Sequence, residues 1–341
     1  MRTLAGMSEA IGMAAYACRP AGSRGRLHPE SIRMILFTDI DALPDEFRDI
    51  VHKRRWQNAM KLADIVRAGT ADGSIAQCEP ELTAIALISI LDWMFFWYSD
   101  RDHYTRLDAI DGIDDIITHG LLRRDVQPPL PPDQPPDLQP FLERHSKLGK
   151  RAAKYDRLLS IATDNFNRKG AMGTSLESIA RDAGMTRAGI YYHFDDKEKL
   201  LYACLNRGLD LEIAAPEGVA EQGFLYEEAE YQRMRLLLTL HDTPLGPKGT
   251  YQNINFLTQD HRRAFVKRSL DALRAQQDRY QRWIDAGRFR KIDTYFAERL
   301  HSGMIHWYPI WFHDKRKWSP VTIADEFSNL FLLGLKPRPK S

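Results

Sequence analysis

The chain has 341 residues, 48 Lys and Arg against 46 Asp and Glu for a net charge of +2, and 43% hydrophobic residues. That length and apolar content fit two or three globular domains with a real core, and the near-neutral total requires any nucleic-acid footprint to be local. No apolar run approaches the ~18 residues of a membrane-spanning helix, which excludes a membrane protein of that kind.

At the start, residues 1–23 mix apolar and small residues, but Glu9 interrupts them and Arg2 is the only basic residue before them. This argues against a secretory leader. Cys18, Cys78 and Cys204 are odd in number and far apart, which suits a reducing cytoplasm and offers neither a disulfide framework nor zinc spacing. Phe47, Ile50, Val51, Leu62, Ile65 and Val66 recur at helical spacing between Phe47 and Ala68. Glu81 to Tyr98 reads as a mostly apolar helix buried on several sides, and Asp108 to His119 as a helix stopped by Gly120. Residues 126–140 hold seven of the 18 prolines, so they form neither helix nor central strand and read as an extended, semi-rigid spacer. No period-2 strand with turn signals occurs, and the expected fold class is all-α.

Thr174 to Lys199 reads as a helix-turn-helix. Thr174 and Glu177 make a T-x-x-E capping box, and Leu176, Ile179 and Ala180 share one helical face. Gly184 supplies the left-handed residue of the turn. Thr186 caps a second helix running through Ile190 to about His193, and Asp195 with Glu198 repeats the capping pattern at the next helix. Upstream lies a basic cluster of Arg144, His145, Lys147, Lys150, Arg151 and Lys154, suited to salt-dependent phosphate contact.

The segment from Tyr155-Asp-Arg-Leu-Leu-Ser-Ile-Ala through Phe166, Gly170, Thr174-Ser-Leu, Ile179-Ala, Ala183-Gly-Met-Thr, Ile190-Tyr-Tyr-His-Phe and Lys197-Glu-Lys-Leu-Leu resembles the N-terminal domain of TetR-family transcriptional regulators. The resemblance implies a reader whose second helix enters the major groove of double-stranded DNA. It departs at Ala188-Gly189, where Gly189 offers no side chain to a base. Arg187 is the candidate for reading guanine, since its planar fork matches O6 and N7. The resemblance assigns Tyr191, Tyr192, His193 and Lys197 to phosphates. Thr186, at the second helix's N-terminus, suits an anion. The expected DNA-facing set is thus Thr174, Ser175, Thr186, Arg187, Ala188, Gly189, Tyr191, Tyr192, His193 and Lys197, with Lys150 and Lys154.

Toward the C-terminus a last helix runs from about Pro320 to Leu333, stopped by Gly334. It exposes a repeat. At an offset of 214, Gly73 falls on Gly287, Ile75 on Phe289, Trp93 on Trp307, Trp97 on Trp311, Tyr98 on Phe312, Asp100 on Asp314, Asp111 on Asp325, Gly120 on Gly334 and Leu121 on Leu335. One helical domain therefore occurs twice. The expected division is 1–125, a TetR C-terminal-like domain without its own reader; 126–143, the Pro-rich linker; 144–206, the reader; and 207–341, a second C-terminal-like domain. At this offset the first repeat starts where its own reader would have ended, so that reader was either lost or lies upstream of Met1.

The resemblance implies that such C-terminal domains hold a small apolar effector, of the acyl-CoA or lipid-like class for aromatic-rich branches, and dimerise through their last two helices. Trp93, Trp97, Tyr98, Trp307, Trp311 and Phe312 are candidates for that pocket or seam. Two assemblies follow: a homodimer on a palindromic operator, with half-sites about 34–36 Å apart, or an intramolecular pseudo-dimer that senses a ligand or sequesters a relative. Catalysis, cofactors and metals find no support. There is no Gly-rich phosphate loop, nucleophile elbow or His–Glu metal motif, and His103, His119, His145, His193 and His301 are scattered.

Overall fold

The computed structural model describes residues 45–98, 104–128, 131–145, 150–312 and 317–338. Of the positions discussed above, Met1, Arg2, Glu9, Cys18, Asp100, His103, Lys147 and Asp314 lie outside the described residues, as do the side chains of Lys150 and Arg151. The first repeat contributes α1 (Asp45–Ala71), α2 (Pro80–Trp97) and α3 (Arg106–His119). A short helix α4 (Gln139–His145) follows the linker. The reader is α5 (Lys150–Lys169), α6 (Leu176–Asp182), α7 (Arg187–His193) and the start of α8 (Lys197–Ala220). The second repeat adds α9 (Tyr226–Thr239), 3-10 turns at Leu240–Asp242 and Tyr251–Phe256, and then α10 (Gln259–Asp285), α11 (Thr294–Trp311) and α12 (Pro320–Leu333). Among the described residues the only strand-like pairing is the isolated bridge Leu122–Phe289, and the all-α expectation holds. No helix among them is long and apolar enough to cross a membrane.

Adding 214 to the bounds of α1, α2 and α3 gives the bounds of α10, α11 and α12, residue for residue. The local chemistry repeats in part. Pro80 and Pro320 stand in the first turn of α2 and α12, where no N–H is needed. Thr105 with Asp108 caps α3, and Ser319 caps α12. Gly120 and Gly334 end these helices at φ of 68° and 72°, a region closed to other residues without strain.

The last two helices of each repeat pack on those of the other, inside one chain. α2 lies against α11, and both α3 and α12 cross onto the opposite pair. The crossing is two-fold in its hydrogen bonds. Leu121 N–H donates to Phe331 O (3.1 Å), and its mate Leu335 donates to Ile117 O (2.9 Å). Leu122 donates to Leu332 O and Lys336 to Thr118 O, each at 2.9 Å; Ala76 donates to Leu335 O (2.8 Å) and Arg290 to Leu121 O (2.9 Å). A small residue permits the α2–α11 contact: a Cβ on Gly303 would stand 3.0 Å from the Trp93 Cβ, beside its repeat-mate Ser89. One apolar core runs through all four helices and the far end of α8, while a second, smaller core fills the reader. α8 carries side chains into both: Leu200, Leu201, Cys204 and Leu205 on the reader side, and Leu211, Ala215 and Val219 on the bundle side.

Several expectations are corrected. In α1 the buried residues are Ala59, Ala63 and Val66, whereas Phe47, Ile50 and Ile65 are about half exposed. The cap of α6 is Ser175, reciprocated by Ser178, and Thr174 is buried with its hydroxyl donating to Gly170 O at 2.8 Å. The cap of α8 is Asp196, accepting from Lys199 N–H; Asp195 pairs with the Lys199 ammonium instead. The linker is not a free spacer. Arg235 donates to Pro132 O (2.7 Å) and Gln134 O (3.0 Å), Gln232 donates to Gln134 O (2.9 Å), and the chain then enters α4, whose Phe141 is buried against Gly218.

Candidate nucleic-acid interface and the cavity coupled to it

The reader's exposed face is built by two caps and one glycine turn. Gly184, at φ of 66°, turns the chain between α6 and α7, and Thr186 Oγ1 accepts from Gly189 N–H at 3.1 Å to start α7. Ile190 and Phe194 point into the small core with Leu176, Ile179 and Leu200. That leaves Ser175, Thr186, Arg187, Ala188, Tyr191 and Tyr192 exposed together, Tyr192 at 71%. The Tyr191 hydroxyl donates to Glu177 (3.1 Å), and Arg187 lies 3.4 Å from the same carboxylate and 5.6 Å from the Tyr191 ring centre. Such an exposed pair is weak. His193 is half-buried beside Tyr155 and Tyr192. Gly189 faces Met185 and the Thr186 hydroxyl, so a side chain there would fill the turn. Lys154 is exposed on the first turns of α5.

Three expected contacts are not on this face. Thr174 is buried. Lys197 turns inward: its ammonium donates to Ala171 O (2.5 Å) and Thr174 O (2.7 Å), over the Phe256 ring, and burial pulls its pKa down. It clamps the turn between α5 and α6 and does not reach outward to a phosphate. Arg144 pairs with Glu221, just past the C-terminal end of α8, whereas the reader sits at that helix's N-terminal end. With 24 residues, α8 is about 36 Å long, so Arg144 is outside a reader footprint.

The turn that Lys197 clamps is also held from the second repeat. Asn253, in the 3-10 turn 251–256, accepts from Ala171 N–H (2.7 Å) and donates to Phe166 O (3.1 Å). Asn167 donates to Lys248 O and accepts from Thr250 N–H (2.8 and 2.9 Å), and Glu198 takes His261 and the Thr258 N–H. Tyr251, in the same 3-10 turn, lines a cavity of about 300 Å³ between the repeats. One wall is Trp93, Phe96 and Trp97 of the first repeat; the other is Tyr295, Arg299 and His306 of α11 with Ser269 of α10. Behind it lies a buried polar floor. Lys248 pairs with Glu212 (2.5 Å) and touches His306 (3.3 Å); Arg233 pairs with Glu230 (2.8 Å), and His301 Nε2 lies 3.1 Å from the same carboxylate. Burial pushes His301 down to about 4 and His306 to about 3, so both are neutral at pH 7. Burial pushes the Glu298 carboxyl up to about 7, against the pull of Arg299 and Ser302.

Of the aromatic candidates, Trp93 meets His306 and Tyr251 with ring centres 4.5 and 5.4 Å away, and Trp97 lies on Tyr295 at 5.7 Å. Trp307 and Trp311 face Arg55 of α1 at 4.9 and 5.6 Å, while Tyr98 and Phe312 are core. Four of the six thus meet residues of the other repeat, and of these Trp93 and Trp97 also line the cavity. Sequence reading missed Arg299, Glu298, His306, Lys248, Tyr251 and Asn253. The one available signal was divergence within the repeat: Arg299 and His306 stand where the first copy has Ile85 and Asp92.

Comparison with known proteins follows the same division. A family model described as "Tetracyclin repressor-like, C-terminal domain" matches residues 27–121 and again 236–335, and one described as "Bacterial regulatory proteins, tetR family" matches 158–204. The HTH-type transcriptional regulator RutR of Escherichia coli K12 is 38% identical over 93 residues, 26% of this chain and 44% of RutR, so the match spans less than half of that relative. The uncharacterized HTH-type regulator YfiR of Bacillus subtilis is 23% identical over 138 residues, 40% of this chain and 67% of YfiR. Among solved structures, the TetR-family regulator PfmR of Thermus thermophilus aligns over 53% of this chain and all of its own with a TM-score of 0.45 and 24% identity. AibR, solved with isovaleryl coenzyme A and operator DNA, aligns over 53% of this chain and 99% of its own with a TM-score of 0.42 and 25% identity. With the two C-terminal-domain matches together covering more than half of its length, the chain belongs to the TetR family and carries a tandem pair of its C-terminal-type domains around one N-terminal-type domain.

Proposed function

We propose that this regulator is a ligand-responsive repressor that works in the cytoplasm with one reader per particle, its first repeat taking the place of a partner subunit. The observation that carries this reading is the reciprocal crossing at Gly120 and Gly334, where the seam-forming helices of both repeats are already satisfied within one chain. A seam so occupied leaves no copy of itself for a second chain. On this reading residues 1–125 are the built-in partner domain, 126–143 a strap fixed to α9, 144–206 the reader and 207–341 the sensing domain.

In the DNA complex Arg187 leaves Glu177 for a guanine edge, Tyr191 and Tyr192 reach phosphates, and Ser175, Thr186, His193 and Lys154 fix the register. A small-molecule effector in the cavity at Tyr251 acts on the reader through Asn253 and the Asn167 bonds, which hold the turn between α5 and α6. Displacing that turn by a fraction of an ångström tilts α7 in the groove. The test is selection of duplexes from a random pool. A single asymmetric half-site, with affinity falling steeply as salt rises, is the expected result. Recovery of palindromes with half-sites about one turn apart would instead assign the chain to a homodimer. No sequence preference from a folded protein would remove the repressor reading.

A further inference from the structure

The cavity between the repeats is not symmetric, although the repeats that form it are related residue by residue. Its centre in the second repeat is Arg299. This side chain is only 9% exposed and lies over the rings of Tyr295 (4.8 Å) and Trp97 (5.7 Å). Its Nε–H is buried without a hydrogen-bond partner, and its Nη1 makes only a long ion pair with the neighbouring Glu298, at 3.7 Å. The indole N–H of Trp93, on the opposite wall, is likewise buried without an acceptor. Two residues that line one cavity thus each carry a buried donor without an acceptor, which costs free energy until an acceptor arrives.

The corresponding place in the first repeat is filled. Ser269, His306 and Arg299 correspond to Arg55, Asp92 and Ile85. Arg55 pairs with Asp92 at 2.7 Å and spreads over Trp307 and Trp311. The first copy thus carries its own cation and counter-ion where the second has a hydroxyl, a neutral imidazole and open space.

Resting on the reading of this cavity as the effector site, we propose that it takes one aromatic monocarboxylate per chain. Arg299 would receive the carboxylate as a two-toothed pair, with the Trp93 N–H as a further donor, and Trp93, Phe96, Trp97 and Tyr295 would enclose the ring. The cavity charge sets the anion. Lys248 is already spent on Glu212, so a single guanidinium faces the space and matches one negative charge rather than a phosphate dianion. A volume of about 300 Å³ is at the small end for ligand sites and is too small for a coenzyme A thioester with its several phosphates.

The full chain titrated with naphthoate and with its neutral amide tests this, with tryptophan fluorescence giving affinity and calorimetry giving stoichiometry. We expect one naphthoate per chain, bound about 10- to 100-fold more tightly than the amide. Arg299→Gln abolishes that preference, and Arg299→Lys keeps part of it. Equal binding of acid and amide overturns the proposal, as does a preference that survives Arg299→Gln, two ligands per chain, tighter binding of an acyl-CoA or phenyl phosphate, or no binding of naphthoate or benzoate by folded wild-type protein. The amide comparison needs no variant, so misfolding of a mutant cannot hide the answer. The same preparation is assayed on its selected duplex. DNA binding without naphthoate binding removes the ligand class alone, and naphthoate binding without DNA binding removes the regulator reading alone.

Discussion

Replacing Gly120 by alanine probes the place where the two repeats cross. A Cβ at this position would stand 2.3 Å from Leu332 O and 2.5 Å from the carbonyl carbons of Leu332 and Leu333. The obstacle is backbone, pinned by four reciprocal hydrogen bonds, so no side chain can swing aside. The glycine's φ of 68° with ψ of −171° adds strain of about 1–3 kcal/mol for any other residue. Forcing the crossing apart adds about 1–3 kcal/mol of overpacking, and about 1 kcal/mol more for each buried hydrogen bond that stretches. The expected loss is about 3–6 kcal/mol. Gly73→Ala is the control: its φ is 77°, but no atom lies within 4 Å of its Cβ, so only the left-handed strain of about 1–2 kcal/mol applies. All seven tryptophans lie outside the reader, so their fluorescence in urea reports the bundle alone. A Gly120→Ala protein no less stable than Gly73→Ala would mean that the repeats do not cross at this point, and the intramolecular seam would fail with it.

Three further outcomes are expected. Arg187→Ala should weaken binding to the selected duplex by about 10- to 100-fold and relax preference at one base pair, read by fluorescence anisotropy on single-base variants; uniform weakening on every sequence would demote Arg187 to a phosphate contact. Asn253→Ala strips the acceptor from the buried Ala171 N–H and should cost the reader about 1–3 kcal/mol, seen as faster hydrogen exchange in 166–174 and weaker DNA binding with the bundle's tryptophan transition unchanged. Stability should fall on acidification. His301 and His306 sit at about 4 and 3 when folded against 6.5 unfolded, so below about pH 6.5 the unfolded chain takes up their protons first. Glu298, raised to about 7 from 4.5, works in the opposite direction between those values and offsets one histidine. The remaining slope is about 1.4 kcal/mol per pH unit down to roughly pH 4.5. Below that, the loss steepens because the unfolded chain protonates Glu212 and Glu230 near 4.5, while in the folded protein, although burial raises both, Lys248 and Arg233 respectively hold them at about 2. Urea midpoints that stay flat from neutral pH to about 5 would contradict the buried neutral histidines.

The division of the chain was legible because its signals are local or repeated. Gly184, Thr186 and the apolar spacing of Leu176, Ile179 and Ile190 determine the reader without help from distant residues, and the 214-residue offset locates α1 to α3 on α10 to α12. The cap of α6 was misread because T-x-x-E and S-x-x-S occupy adjacent registers. Gly170 O, from the preceding turn, draws the Thr174 hydroxyl inward and leaves the cap to Ser175. Lys197 follows a cap and reads as an exposed phosphate contact; only the folded turn offers it two carbonyls. α9 carries Glu227, Glu230, Arg233 and Arg235, and all four are buried by partners far away in sequence: Arg288, His301, Tyr280 and Asp325. The cavity was invisible for the same reason. Its lining comes from both repeats, and the residue that gives it charge, Arg299, sits in a helix otherwise read for its tryptophans.

The most direct test of one reader per particle is the mass of the full chain in solution by light scattering, free and on its selected duplex. One reader per particle requires 39.3 kDa free, and that mass plus one duplex in the complex. Twice the chain mass in either state would contradict it, since two readers would then be joined as in a conventional dimer and the first repeat would not be standing in for the partner.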